Sequence, residues 1–137
     1  MNNISFTTNK GIDRQNYETI KKSLDATSTR GRVINNNIAN VNIKGYKRHY
    51  VEFEESLKRN EEEMDLKFTK SKHISTSGEY GNIEIKRDEN SSMREDGNNV
   101  DIDTEKVNQA ANTLMYNALI SQLNNRISTK RYIISSK

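Results

Sequence analysis

The chain has 137 residues, with 22 Lys and Arg against 19 Asp and Glu, a formal net charge of +3. Only 31% of it is hydrophobic and 30% is charged, with a mean hydropathy of -1.00, so it has little apolar surface to offset the entropy of ordering. This balance points to an assembly component rather than a self-contained enzyme, and the small charge excess argues only weakly for nucleic acid. The absence of cysteine excludes disulfides and thiolate metal sites, and the absence of proline leaves long helices without a proline break.

Residues 1–12 are polar and read as a flexible arm, without the basic start and apolar run of a Sec signal. Asp13 can then cap a helix. From there Tyr17, Ile20, Leu24, Thr27, Gly31, Ile34, Ile38 and Val41 follow one another at alternating steps of three and four, a heptad seam. A straight helix from Arg14 to Val41 would be about 42 Å long. Gly31 costs such a helix about 1 kcal/mol relative to Ala. It reads equally as a site of close helix approach and as a frayed turn. Asn40, Asn42 and Gly45 tolerate the left-handed backbone of a helix stop.

The next stretch begins basic and aromatic (Tyr46, Lys47, Arg48, His49, Tyr50) and turns acidic around Glu61, Glu62 and Glu63. The first part reads as a turn whose tyrosines pack on a helix, the second as a solvated surface. Phe53 and Leu57, four apart, can anchor a short helix. Leu66 with Phe68 and Ile83 with Ile85 alternate with charges and favour short half-exposed strands. Gly78 and Gly81 mark a turn near Tyr80, and residues 88–99 read as a loop.

From Val100 the helical period returns. Asp101 and Asp103 sit where acids favour a helix start. Val107, Ala111, Leu114, Met115, Ala118, Leu119, Leu123, Ile127 and Ile134 form a broad apolar face over a helix of about 48 Å. The expected fold is therefore mainly α, with long N- and C-terminal helices packing as a coiled-coil-like pair around a small irregular or short-β middle. The expected divisions are 1–47 (arm and first helix), 48–99 (variable middle) and 100–137 (second helix).

Chemistry has little foothold. His49 and His73 lie in different segments, and no spacing supplies a zinc site. The nucleophile elbow, the phosphate-binding loop and the dinucleotide fingerprint are missing from the sequence, as is the twelve-residue calcium pattern. No catalytic, cofactor or metal residue is assigned and no cofactor is expected. No segment approaches the about 18 apolar residues of a membrane span.

Two stretches carry a family resemblance. Asn36-Asn37-Ile38-Ala39-Asn40-Val41-Asn42-Ile43-Lys44-Gly45-Tyr46-Lys47 resembles the N-terminal motif of the flagellar rod, hook and hook-associated axial proteins. Asp96-Gly97-Asn98-Asn99-Val100-Asp101-Ile102-Asp103, followed by Glu105, Asn112 and Tyr116, resembles the C-terminal motif of the proximal rod branch of that family. The short middle, Phe53 and His73 fit the same branch. Ile43-Lys44 stands where that branch usually has Thr-Pro, so the turn loses a fixed backbone angle. The tail after Arg126 departs as well.

The residues agree with the resemblance. The Asn-rich stretch offers amides at a helix end, where backbone carbonyls need partners. Gly45 permits a sharp turn, and Tyr46 can fold back on the helix and donate a hydrogen bond. The resemblance implies a structural subunit that self-associates helically through its terminal helices, with Tyr17, Ile20, Leu24, Ile34, Ile38, Val41, Val107, Ala111, Leu114 and Ala118 in the assembly interface. It also implies export by the flagellar type III apparatus and a place at the base of the periplasmic rod. The implied partners are other rod proteins, the MS ring and the export gate. The alternatives are another axial protein of the rod family and a cytoplasmic helical adaptor using the 17–41 seam; a nucleic-acid binder using Lys44, Lys47 and Arg48 is a third hypothesis, but no nucleic-acid partner is expected, because the basic cluster is short and acidic residues follow it at once.

Overall fold

The structure, a computed structural model, describes residues 7–54, 81–90 and 94–135. Two long helices dominate it, α1 (Thr7–Ala39) and α2 (Ile102–Ser135). Between them lie two short strands, β1 (His49–Glu52) and β2 (Glu84–Arg87). The expected anchor Leu57, the Leu66–Phe68 alternation, Gly78, Tyr80 and His73 lie outside the described residues.

α2 runs back along α1. Gln109 Nε2 donates to Asn35 Oδ1 at 2.8 Å, Asn112 Nδ2 donates to Thr27 O at 3.0 Å, and the Lys130 ammonium lies 5.6 Å from the Tyr17 ring centre. The pair is therefore antiparallel, with the C-terminal end of α1 beside the start of α2. Ile20, Thr27 and Ile34 of the seam are buried on α1, together with Ala26, Val33 and Asn37, which lie one position to its side. Gly31 settles as a point of approach, since α1 continues through it and an added methyl would stand 3.4 Å from Asn112 Nδ2.

The helix bounds differ from the expected ones at the N-terminal side. α1 starts at Thr7 rather than after Asp13, because no proline interrupts residues 7–13 and their polar character does not forbid a helix. It ends at Ala39, so Val41 belongs to the following turn instead of the last helical turn.

β1 and β2 pair antiparallel, with His49 opposite Arg87, Tyr50 opposite Lys86, Val51 opposite Ile85 and Glu52 opposite Glu84. The two facing glutamates are bridged by Lys86, which is ion-paired with Glu52 and lies 3.8 Å from Glu84. The hydrogen bond to Glu52 raises the Lys86 pKa from its ordinary value. The segment expected to be a turn, Lys44–Tyr50, thus ends in a strand. β1 lies along α1, tied at one end by Asn37 to His49 and at the other by Arg30 to Glu54. Phe53 is almost fully buried, contributing about 2–3 kcal/mol. Gly81, at φ +70°, passes so close that a Cβ would stand 3.0 Å from the Phe53 ring.

Candidate functional site

The two motif stretches, far apart in sequence, meet at one end of the helix pair. Asn98 is fully buried, and its Nδ2 lies 3.1, 2.9 and 2.9 Å from the carbonyl oxygens of Asn40, Val41 and Ile43. Those carbonyls follow the end of α1, where the helical ladder leaves acceptors free. Arg94 Nη1 adds a second donor to Val41 O at 3.0 Å. One segment therefore caps the helix formed by the other.

The glycines make this approach possible. Gly45 and Gly97 both have positive φ, +72° and +78°, a region that penalises any side chain. A Cβ on Gly97 would meet the Gly45 Cα at 3.7 Å, and Gly45 N donates to Asp96 O at 2.8 Å. Asp96 Oδ1 accepts from Asn98 N at 3.0 Å, and Asn98 Oδ1 accepts from Val100 N at 2.8 Å. The Asp96–Val100 turn is thus wound by its own side chains.

Asn37 stands at the centre and is completely buried. Its Nδ2 donates to His49 O at 2.7 Å and to Glu105 Oε2 at 3.0 Å. Its Oδ1 accepts from His49 N at 3.0 Å and from the Tyr46 hydroxyl at 3.2 Å. Both hydrogens and both lone pairs of the amide are used. The pair of bonds to His49 imitates a neighbouring strand, so one side chain satisfies the edge of β1.

Glu105 has 0% of its surface exposed. Its Oε1 accepts from Arg48 Nε at 2.6 Å while its Oε2 holds Asn37. A buried carboxylate is tolerated only when charge and hydrogen bonds compensate it. Asn99 Oδ1 accepts from Arg48 N at 2.7 Å, and its Nδ2 donates to Asp88 O at 3.0 Å. The start of α2 is capped by Asp101, whose carboxylate accepts from Asp103 N at 2.9 Å and from the Thr104 hydroxyl at 2.8 Å. The Thr104 hydroxyl, then the backbone N–H groups of Asp103 and Thr104, hold the Asp101 pKa below the usual carboxylate value.

The expected motif residues are therefore brought together here, including Asn36 through its carbonyl, which accepts from Asn40 Nδ2 at 2.6 Å. Ala39 is exposed. The expected interface residues divide. Ile20 and Ile34 are buried in the helix pair, Leu24, Ile38 and Val41 are half-buried, and Tyr17 is exposed. Val107, Ala111, Leu114 and Ala118 are all exposed, Val107 by 68% and Leu114 by 71%, and Ala111 borders the recess that α2 forms with α1 and β1. The buried side of α2 runs instead through Glu105, Asn108, Asn112, Leu119, Leu123 and Arg126. Between Lys106 and Lys130 the only charge on α2 is Arg126, whereas the outer face of α1 carries Arg14, Glu18, Lys21, Asp25 and Arg32.

Sequence reasoning missed the roles of Arg48, Asn99 and Glu105. Arg48 was visible only as part of a basic cluster, and Glu105 only as a residue following a motif. Among the described residues no group of three His, Cys, Asp or Glu is placed to hold a metal, and no helix is long and apolar enough to cross a membrane.

An antiparallel pair of terminal helices, tied at one end by an Asn-rich turn and an Asp-Gly-Asn turn, has the architecture expected of flagellar axial proteins. A scan of protein-family models finds no match. Curated proteins do match. The chain is 37% identical over 105 residues to the flagellar basal body rod protein FlgB of Borreliella burgdorferi, covering 70% of this chain and 78% of that one. It is 38% identical over 102 residues to FlgB of Borrelia hermsii, covering 68% and 76%. It is 27% identical over 118 residues to FlgB of Bacillus subtilis, covering 86% and 92%. The chain is a flagellar basal body rod protein by class. Within that class it belongs to the FlgB family.

Proposed function

We propose that this chain is a structural subunit of the proximal rod, polymerising through its two terminal helices into the drive shaft of the flagellum and catalysing no reaction. The single observation that carries the assembly half of this reading is the outer face of α2. It is uncharged over several turns and exposes Val107 and Leu114 in a chain that is otherwise densely charged. Depletion of charge with apolar residues at the centre is the signature of an interface core. Neighbouring subunits cover that face, and the charged outer face of α1 is left toward solvent or toward polar partners.

The relatives' names place those proteins in the flagellar basal body rod. The finer placement proposed for this chain is the base of the periplasmic rod, beside the MS ring and the export gate. Export through the flagellar type III apparatus and contact with other rod proteins belong to the same proposal. The divisions 1–47, 48–99 and 100–137 become rod-core helix, variable middle and rod-core helix.

Leu114→Asp tests the assembly reading. The side chain is exposed in the single chain, so the purified variant should unfold within about 0.5 kcal/mol of the parent. In cells the carboxylate would be buried at the subunit contact without a partner. Loss of motility with an intact monomer is expected, and full motility would refute the facing assigned to α2.

A further inference from the structure

The turn that caps α1 is made from a chemically reactive pair. Asp96-Gly97 is the single Asp-Gly step in the chain, and Asn-Gly does not occur. In such a step the glycine has no side chain to shield its nitrogen, which can reach the carboxyl carbon of the preceding residue and close a five-membered imide. Glycine is needed at 97 because φ is +78° there, a region that penalises any side chain. Asp serves at 96 because its Oδ1 accepts from Asn98 N at 3.0 Å and winds the turn. The two residues that build the cap are therefore the two that make it reactive.

The folded turn holds the participating atoms away from that reaction. Gly97 N donates to Arg94 O at 3.1 Å, so the proton of the attacking nitrogen is engaged. Asp96 Oδ2 accepts from Arg94 Nη2 at 2.8 Å while Oδ1 accepts from Asn98 N, so either carboxylate oxygen must give up a donor before it can leave. The carbonyl of the linking peptide accepts from Gly45 N at 2.8 Å, which fixes the plane of that peptide. Asn98, fully buried, anchors the whole turn through the carbonyls of Asn40, Val41 and Ile43. Closing the imide requires rotation of both the side chain and the main chain of Asp96, and these bonds oppose both rotations.

We infer that Asp96-Gly97 is a covalent ageing site of this chain, silent while the turn is docked on α1 and reactive whenever the turn opens. Gly97 N bonds to Asp96 Cγ and a Cγ–O bond breaks. The departing oxygen leaves as water, taking the proton of the nitrogen and the proton of the carboxyl group. Water then adds back to the imide. Addition at Cγ restores aspartate. Addition at the former main-chain carbonyl breaks its bond to Gly97 N, and the chain now runs through Cγ as isoaspartate. No atom is gained or lost overall, and water is the only co-reactant.

The product cannot rebuild the cap. Isoaspartate lengthens the main chain by a methylene group and moves the free carboxylate closer to the backbone. The Gly45–Asp96 bond, the Asp96–Asn98 bond and the reach of Asn98 to three carbonyls all depend on the spacing that is lost. Buried groups left unpaired in this way are costly. A chain whose turn is open therefore has a limited time in which to dock it, and a chain that reacts first loses the closed arrangement.

The full chain would be aged at neutral pH, folded in buffer and unfolded in urea, and isoaspartate at residue 96 followed by peptide mapping. The urea arm gives the intrinsic rate of the step. In buffer the rate should be about tenfold lower or less still, because reaction through a local opening scales with the open population. Asn98→Ala leaves the Asp-Gly step intact, so it should match the parent in urea. In buffer it should react about three- to tenfold faster than the parent, as for loss of buried hydrogen bonds. Arg94→Ala, which removes only an exposed contact, should react about two- to fivefold faster in buffer and serves if Asn98→Ala does not fold. Parent chains carrying isoaspartate at 96, returned to buffer, should show rapid amide exchange over the last turn of α1. Equal rates for the parent in buffer and urea would overturn the protection, as would folded variants no faster than the parent. Absence of isoaspartate at 96 in urea would overturn the site itself. Aged chains that regain the parent's exchange pattern would overturn the claim that the product cannot rebuild the cap.

Discussion

The two ends of the helix pair are built on opposite principles. At the motif end, Asn37, Asn98 and Glu105 are fully buried polar side chains, each with partners inside the chain. At the other end, Tyr132, Ile133 and Ile134 are apolar and exposed. Polar groups buried with complete hydrogen bonding specify one arrangement, because any slip leaves donors and acceptors unpaired. Exposed apolar residues specify nothing until another surface covers them. One end sets the shape of the subunit, and the other end and the outer face of α2 remain open for neighbours.

The strongest way to break this comparison is at Glu105. Replacing it with Leu removes the only carboxylate among the described residues that contacts both Arg48 and Asn37, and leaves a side chain of similar size. Loss of about 3 kcal/mol is expected, as for one partner removed from a buried pair, read as a shift in the urea midpoint at an unchanged m-value. Glu105→Gln keeps an acceptor and should cost less. If Glu105→Leu unfolds with the parent's midpoint, the motif end is not what sets the fold.

Asn98→Ala should come next. It strips the donor shared by the carbonyls of Asn40, Val41 and Ile43 and the acceptor for Val100 N. About 2 kcal/mol is expected, given the cost of leaving buried groups unpaired. Amide exchange should quicken first over the last turn of α1, because the cap is lost there while the α1–α2 packing near Thr27 stays. Uniform quickening along both helices would show that Asn98 acts on the whole fold and not on that end.

Part of this comparison was legible in the sequence. The three-four rhythm found both helices because 3.6-residue periodicity survives in Ile20, Thr27 and Ile34 whatever packs on them. The motif residues were visible, and Tyr46 folding back on α1 followed from Gly45 permitting the turn. The network around Glu105 was not legible, since side-chain pairing between residues 48 and 105 has no period and no local signature. Nor was the outward facing of Val107 and Leu114. Apolar residues are spread so widely around α2 that the pattern alone does not say which stripe meets α1.

Gly31 gives a smaller and opposite effect. It lies inside α1 against Asn112, and an added methyl would make ordinary contact at 3.4 Å. Gly31→Ala should therefore stabilise the chain by about 0.5–1 kcal/mol through backbone entropy, seen as a higher thermal midpoint. Destabilisation would mean that the helices stand closer there than the structure places them. This position lies between the two ends, and a gain at it would show that the middle of the pair is neither as tightly specified as the motif end nor as open as the tip.

The smallest expected effect concerns pH and lies at the motif end. Asp101 caps α2 as a carboxylate, and its folded pKa is lowered by the Thr104 hydroxyl and by the N–H groups of Asp103 and Thr104. A lowered folded pKa means that the unfolded chain binds the proton more readily. The contribution to stability is then fully present above the unfolded value, near 4, and is lost as pH falls through the folded one. Asp101→Asn keeps a capping oxygen but cannot titrate. Its stability should therefore fall less than the parent's between pH 5 and pH 2, while the two differ little at pH 7. Parallel curves for parent and variant over that window would remove Asp101 from the acid response and leave other carboxylates of the chain to account for it.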